Sequence, residues 1–99
     1  MATFTTVVSK SASANITAQN TFTTPIEMIG NFVVRIRGTW SGTVTLQRSD
    51  DAGVTFDDVQ VYTANAVDSV FEAEPGILYQ IGVKTGQFTS GTVAVRLSR

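Results

Sequence analysis

Hydrophobic and polar residues alternate with period two along most of the chain, the repeat of a pleated strand whose successive side chains point to opposite faces. The pattern is clearest where Phe32, Val34 and Ile36 take one parity and Val33, Arg35 and Arg37 the other. That segment is expected to bury one face. Val44 and Leu46, set against Thr43, Thr45 and Gln47, repeat the pattern after Gly38-Thr39-Trp40-Ser41-Gly42. Those five glycine-bracketed residues predict a turn, and the two runs a hairpin. Past a second turn, from Ser49 to Gly53, Val54 and Phe56 lie on one parity but Val59 and Val61 on the other, which predicts a bulge or bend at Asp57-Asp58. Glu74-Pro75-Gly76 is a turn signal. After it Ile77, Tyr79, Ile81 and Val83 alternate with Leu78, Gln80, Gly82 and Lys84, and then Val93, Val95 and Leu97 alternate with Thr92, Ala94 and Arg96. Weaker runs at 3–8, 13–18, 21–29 and 67–72 bring the expected total to seven to nine short antiparallel strands.

Strands at this spacing, with turns between them and no helical period, predict two packed sheets, because one open sheet could not bury both parities. The expected fold is all-β: a single small β-sandwich, immunoglobulin-like or jelly-roll-like, over residues 1–99. Composition agrees, with 23 Thr and Ser, 13 Val and only 3 Leu, a bias toward pleated surface and away from helix. Within the domain, Ser9-Lys10-Ser11-Ala12-Ser13-Ala14 is polar enough for a loop, so residues 1–12 are expected to form an extended arm plus loop. In the arm, Phe4, Thr6 and Val8 alternate with Thr5 and Val7. An extended segment of that kind could complete a sheet edge on a neighbouring subunit.

Charge narrows the function. Charged residues are 15% of the chain, against about 25% in typical soluble domains, so much of the surface is uncharged. The net charge is −1 and the seven basic residues are scattered from Lys10 to Arg99, with no stripe to follow a phosphate backbone. No nucleic-acid partner is expected. No apolar stretch approaches the roughly 20 residues of a bilayer span, and no leader-like segment opens the chain, so a soluble protein made in the cytosol and without a membrane partner is expected. Asn15-Ile16-Thr17 is an acceptor sequon only by chance in a Thr-rich chain. Without histidine or cysteine, the chain lacks the usual neutral-pH base, thiol nucleophiles, disulfides and zinc ligands. No enzyme, cofactor or metal is expected.

Several side-chain groups could still carry chemistry. Ser49-Asp50-Asp51-Ala52-Gly53-Val54-Thr55-Phe56 fits S-x-D-x-G-x-T-[WF] and resembles the Asp-box of sialidases and other β-propeller proteins, where it forms a hairpin turn. Physically, the Asp51 carboxylate can accept backbone N–H groups, Gly53 can take positive φ and Phe56 can anchor the turn by packing inward. Ser49, Asp51, Gly53, Thr55 and Phe56 are therefore read as a structural turn. Asp50, Asp51, Asp57 and Asp58 flank it, and the expectation is a solvated acidic turn, with calcium ligation as the alternative. Glu72 and Glu74 could serve a glycosidase as acid and base, yet beside Pro75 they are expected in an exposed turn. Trp40, Tyr62 and Tyr79 could stack on a sugar; parity instead assigns Trp40 and Tyr79 to the core. Arg35 and Arg37 project from the outer face of their strand, either solvating it or contacting an acidic neighbouring subunit.

The segments 38–51, 79–86 (Tyr79-Gln80-Ile81-Gly82-Val83-Lys84-Thr85-Gly86) and 89–98 (Thr89-Ser90-Gly91-Thr92-Val93-Ala94-Val95-Arg96-Leu97-Ser98) carry a resemblance that covers roughly residues 32–98. They resemble small β-rich virion accessory proteins of tailed bacteriophages. The resemblance implies a virion structural protein, most simply a head decoration or cement subunit binding the assembled capsid. It also implies several copies on the particle or a homo-oligomer, with capsid or tail subunits as partners, virion localisation and no catalytic residues. The alternative function is a carbohydrate-binding or tail-associated module that contacts host surface glycans.

Overall fold

The structure, a computed structural model, describes residues 9–99. Among them the strands are β1 (Ser11–Ile16), β2 (Thr21–Phe22), β3 (Ile26–Glu27), β4 (Gly30–Gly42), β5 (Val44–Ser49), β6 (Asp57–Tyr62), β7 (Ala66–Glu72), β8 (Leu78–Val83) and β9 (Phe88–Ser98). They form two antiparallel sheets, and the described chain has no helix. The first sheet runs β1-β9-β4-β7; the second runs β2-β8-β5-β6, with β3 also on β8. The protein is all-β and a small β-sandwich.

The core follows from the alternation. Phe32, Val34 and Ile36 of β4 and Val93, Val95 and Leu97 of β9 turn one way, and Val44, Leu46, Tyr79, Ile81 and Val83 of the second sheet, with Ile77 just before β8, are buried with them in a single cluster. Each such side chain contributes on the order of 1.5–3 kcal/mol by leaving water. Across the cluster the Phe32 and Tyr79 rings lie 4.7 Å apart, tilted by 58°.

The hairpin expected around Gly38–Gly42 does not form. The 13-residue β4 continues through these residues, pairing with β9 from Val33 to Gly42 with a register shift between Ser41 and Gly42, while β5 begins at Val44 in the other sheet. Gly38 is a close-approach position, with φ 112, where a Cβ would sit 2.5 Å from the Thr92 carbonyl oxygen. Glycine here admits a neighbouring backbone, not a reversal, and sequence punctuation does not distinguish the two.

The loop expected at Ser9–Ala14 is also corrected. Ser11 to Ile16 pair with Ser98 to Val93 along the edge of the first sheet, and Lys10 and Arg99 exchange backbone hydrogen bonds of 3.0 and 2.9 Å. Small polar residues suit this edge because one face is solvated. The expected arm at 3–8 lies outside the described residues.

The weak run at 21–29 is an edge strand broken in the middle. β2 and β3 both lie on β8 and flank Thr23-Thr24-Pro25, where a proline cannot continue the ladder. The buried Thr23 patches the gap: its N–H donates to the Ile81 carbonyl (2.9 Å) and its Oγ1 accepts from the Ile81 N–H (3.1 Å). The irregularity expected near Asp57-Asp58 is present between Leu46↔Gln60 and Gln47↔Asp58, leaving Val59 as the extra residue. Among the described strands β6 lies at the edge of its sheet; Val61, opposite Thr45 on the face turned from the core, and the extra residue Val59 are exposed.

Candidate functional site

The turn joining β5 to β6 is organised by two short side chains. Ser49 Oγ donates to Asp51 Oδ1 (2.7 Å) and accepts from the Gly53 N–H (2.9 Å), while Asp51 Oδ1 accepts from the Thr55 N–H (2.9 Å) and Asp51 Oδ2 from the Thr55 hydroxyl. Ala52 and Gly53 take φ of 60 and 89 in succession, a left-handed pair that costs an alanine strain and glycine none. Bonds from the Thr55 hydroxyl and N–H, and from Ser49, lower the Asp51 carboxyl to a pKa of about 2. Phe56 departs from expectation: it is half-buried and lies outside the core cluster. A Cβ on Gly53 would come within 4.0 Å of its ring and 3.5 Å of Leu78 Cδ1, so the ring closes the underside of the turn.

The four acidic residues near this turn are not gathered around one point. Asp50 and Asp57 are exposed, Asp51 is bound within the turn, and Asp58 accepts from Gln47 Nε2 (2.9 Å) and Lys84 Nζ (2.7 Å). Lys84, then Gln47, hold the Asp58 carboxyl below its ordinary pKa. Among the described residues no three carboxylates are grouped as a metal site would require.

Glu72 is the largest correction among the polar residues. It is buried, at 6% exposure, whereas Glu74, two residues on, is exposed as expected. Arg48 of β5 grips it in a fork, Nε to Oε1 at 2.6 Å and Nη2 to Oε2 at 3.2 Å. Tyr79 donates its hydroxyl to Oε1 (2.8 Å) and the Glu74 N–H donates to Oε2 (3.0 Å). Arg48, with help from Tyr79 and the Glu74 N–H, draws the Glu72 carboxyl down to about 2 against its burial. Burial and then Glu72 push the Tyr79 hydroxyl up to about 12, and the guanidinium is raised in turn. A second bridge repeats the motif four residues earlier on β7, where the Tyr62 hydroxyl donates to Asp68 Oδ2 (2.8 Å). Burial, then Asp68, raises that hydroxyl also. Both bridges join β7 of the first sheet to strands of the second. They are structural ties, and a carboxylate held this way is a poor acid or base near neutral pH.

Two of the three candidate rings belong to the core, but the pair is Tyr62 and Tyr79. Trp40 is half-buried against its rim, with Nε1 donating to Asn65 Oδ1 (2.7 Å) while Asn65 Nδ2 donates to the Gly38 carbonyl (3.0 Å). Trp40 shares the inward parity of Phe32, Val34 and Ile36, but it lies two residues from the end of β4, where the ring reaches only the rim of the core. With both tyrosines buried, the three rings offer no shared stacking platform.

Arg35 and Arg37 lie on the outer face of the first sheet, where the alternation put them. Sequence inspection missed what joins them there. β4–β9 register sets Arg35 opposite Arg96 and Arg37 opposite Ala94, and β7 adds Val67 and Phe71, exposed at 73% and 65%. Cross-strand neighbours of this kind depend on strand order, which nothing in the linear sequence states. No protein-family model, curated protein or solved structure matches this chain.

Proposed function

We propose that this protein is a structural subunit of a bacteriophage virion, a head decoration or cement protein that binds the assembled capsid in multiple copies. The observation that carries this reading is the exposed apolar set on one sheet. Val33, Val67 and Phe71 alternate outward from β4 and β7, on a face the molecule itself leaves uncovered among the described residues. A face of that composition suits a neighbour better than solvent. The resemblance of segments 38–51, 79–86 and 89–98 to phage accessory proteins supports the same reading from sequence.

Mass spectrometry of purified particles of the encoding phage, with heads separated from tails, tests the proposal. Many copies per head are expected; particles lacking the chain would overturn it.

A further inference from the structure

Three strands of the first sheet, β1, β9 and β4, lie side by side, and two of the rows that their outward positions form carry arginine. Ser13, Arg96 and Arg35 make one row; Asn15, Ala94 and Arg37 make the next. Arg35 and Arg96 thus stand directly opposite each other, an arrangement of like charges that is unfavourable within a sheet. Among the described residues the ion pairs are Lys10–Glu27, Arg48–Glu72 and Lys84–Asp58, so none reaches Arg35, Arg37 or Arg96. The first eight residues contain no Asp or Glu to supply one. Between the rows is a recess of about 560 Å³ lined by Ser13, Asn15, Arg35, Ala94 and Arg96 among others. The small Ala94 side chain leaves a low point between longer neighbours.

The geometry points to this face as the docking surface for an acidic segment of a partner protein, with one carboxylate seated over Ala94 among Arg35, Arg37 and Arg96 and apolar side chains laid against Val67 and Phe71. A carboxylate there would meet guanidinium groups able to bind it in bidentate fashion. It would also remove the repulsion that the bare sheet carries. Arginine beside an aromatic and aliphatic patch is the composition of protein interfaces. A nucleic acid fits less well, because three arginines neutralise few phosphates and an apolar patch beside them offers nothing to a phosphate backbone. This inference rests on the assembly reading above and names its contact face.

The test uses the isolated protein, isotope-labelled, and a synthetic 12-residue peptide of Glu, Asp and Leu. Amide shifts are expected at Ser13, Asn15, Arg35, Ala94 and Arg96, weakened at least tenfold in Ala94→Glu and in Arg96→Gln. Ala94→Glu supplies the missing carboxylate in cis, so it is also expected to raise the unfolding midpoint, by about 2–4 °C. Absent shifts, shifts confined to the other sheet, unchanged binding by Arg96→Gln, or tighter binding of a single-stranded oligonucleotide would each overturn the assignment. Failure here leaves particle composition untouched, whereas a particle lacking the chain would sink the assembly reading without altering peptide binding.

Discussion

Arg48 and the pair Arg35–Arg96 are the same residue type in opposite circumstances. Arg48 faces a carboxylate in a fork of 2.6 and 3.2 Å, partly buried at the junction of the two sheets. Arg35 and Arg96 face each other on an outer surface with no carboxylate beside them among the described residues. One guanidinium is consumed in holding the fold together, and the other two leave charge available to something outside it. The outer faces of the sheets differ in the same way. On the second sheet Gln80 donates to Gln47 (2.7 Å), Gln47 to Asp58 (2.9 Å) and Lys84 to Asp58 (2.7 Å), so its polar groups satisfy one another. The lesson is that surface charge must be read together with its neighbours before it is taken as a sign of binding.

The sharpest way to break this contrast is to remove the paired guanidinium. Arg48→Ala is expected to destabilise the domain by about 3 kcal/mol, because Glu72 is left buried without its counter-ion. Chemical denaturation measures it, and a loss below about 0.5 kcal/mol would mean that Arg48 is no more committed than Arg35.

Acid gives a second, gentler lever. Glu72 and Asp51 both fall to about 2 in the folded protein, from ordinary values of 4.5 and 3.8. Carboxyls depressed on folding stabilise the fold fully above their unfolded values and lose that contribution as pH drops through the folded ones. Stability is therefore expected to decline from about pH 4.5 toward pH 2. Glu72→Gln should flatten part of that decline. An unchanged slope in thermal melts across this range would show that the inter-sheet ion pair does not couple to folding.

The smallest effects separate the outer faces. Asp58→Ala, which removes the hub of an exposed polar chain, is expected to cost about 0.5 kcal/mol. Arg35→Ala, which relieves a like-charge pair, is expected to stabilise by about 0.2–1 kcal/mol. Opposite signs in parallel urea titrations sharpen the comparison; two losses of equal size would dissolve it.

The parts of this fold legible in sequence were those fixed by local alternation. Phe32, Val34 and Ile36, the Ile77–Val83 run and the Val93–Leu97 run all have the inward parity that the pattern implied. Ser49 to Thr55 was equally legible, because a turn held by bonds two and four residues apart is a local object. Strand partners were not. Gly38 and Gly42 punctuate the chain like a turn, yet they lie within a strand that passes between neighbours. Glu72 looked exposed beside Pro75, although Ala66, Asp68, Val70 and Glu72 share a parity. That parity was the available signal that β7 turns two carboxylates inward. Finding what they bind required knowing that β7 packs over β5, β6 and β8.

The position of β9 has a consequence for how the molecule is made. It is the last of the described strands to leave the ribosome, yet it lies between β1 and β4 at the centre of the first sheet. Until it arrives, among the described strands β1 has no hydrogen-bonded neighbour and β4 has only β7, so most of that sheet cannot assemble while the chain is being synthesised. The pairing of Ser11 with Ser98 closes residues 11–98 into one loop. Folding should then be a late and concerted event on the slow, millisecond-to-second scale of nonlocal β topologies, with the apolar faces of the early strands waiting uncovered for their final partner.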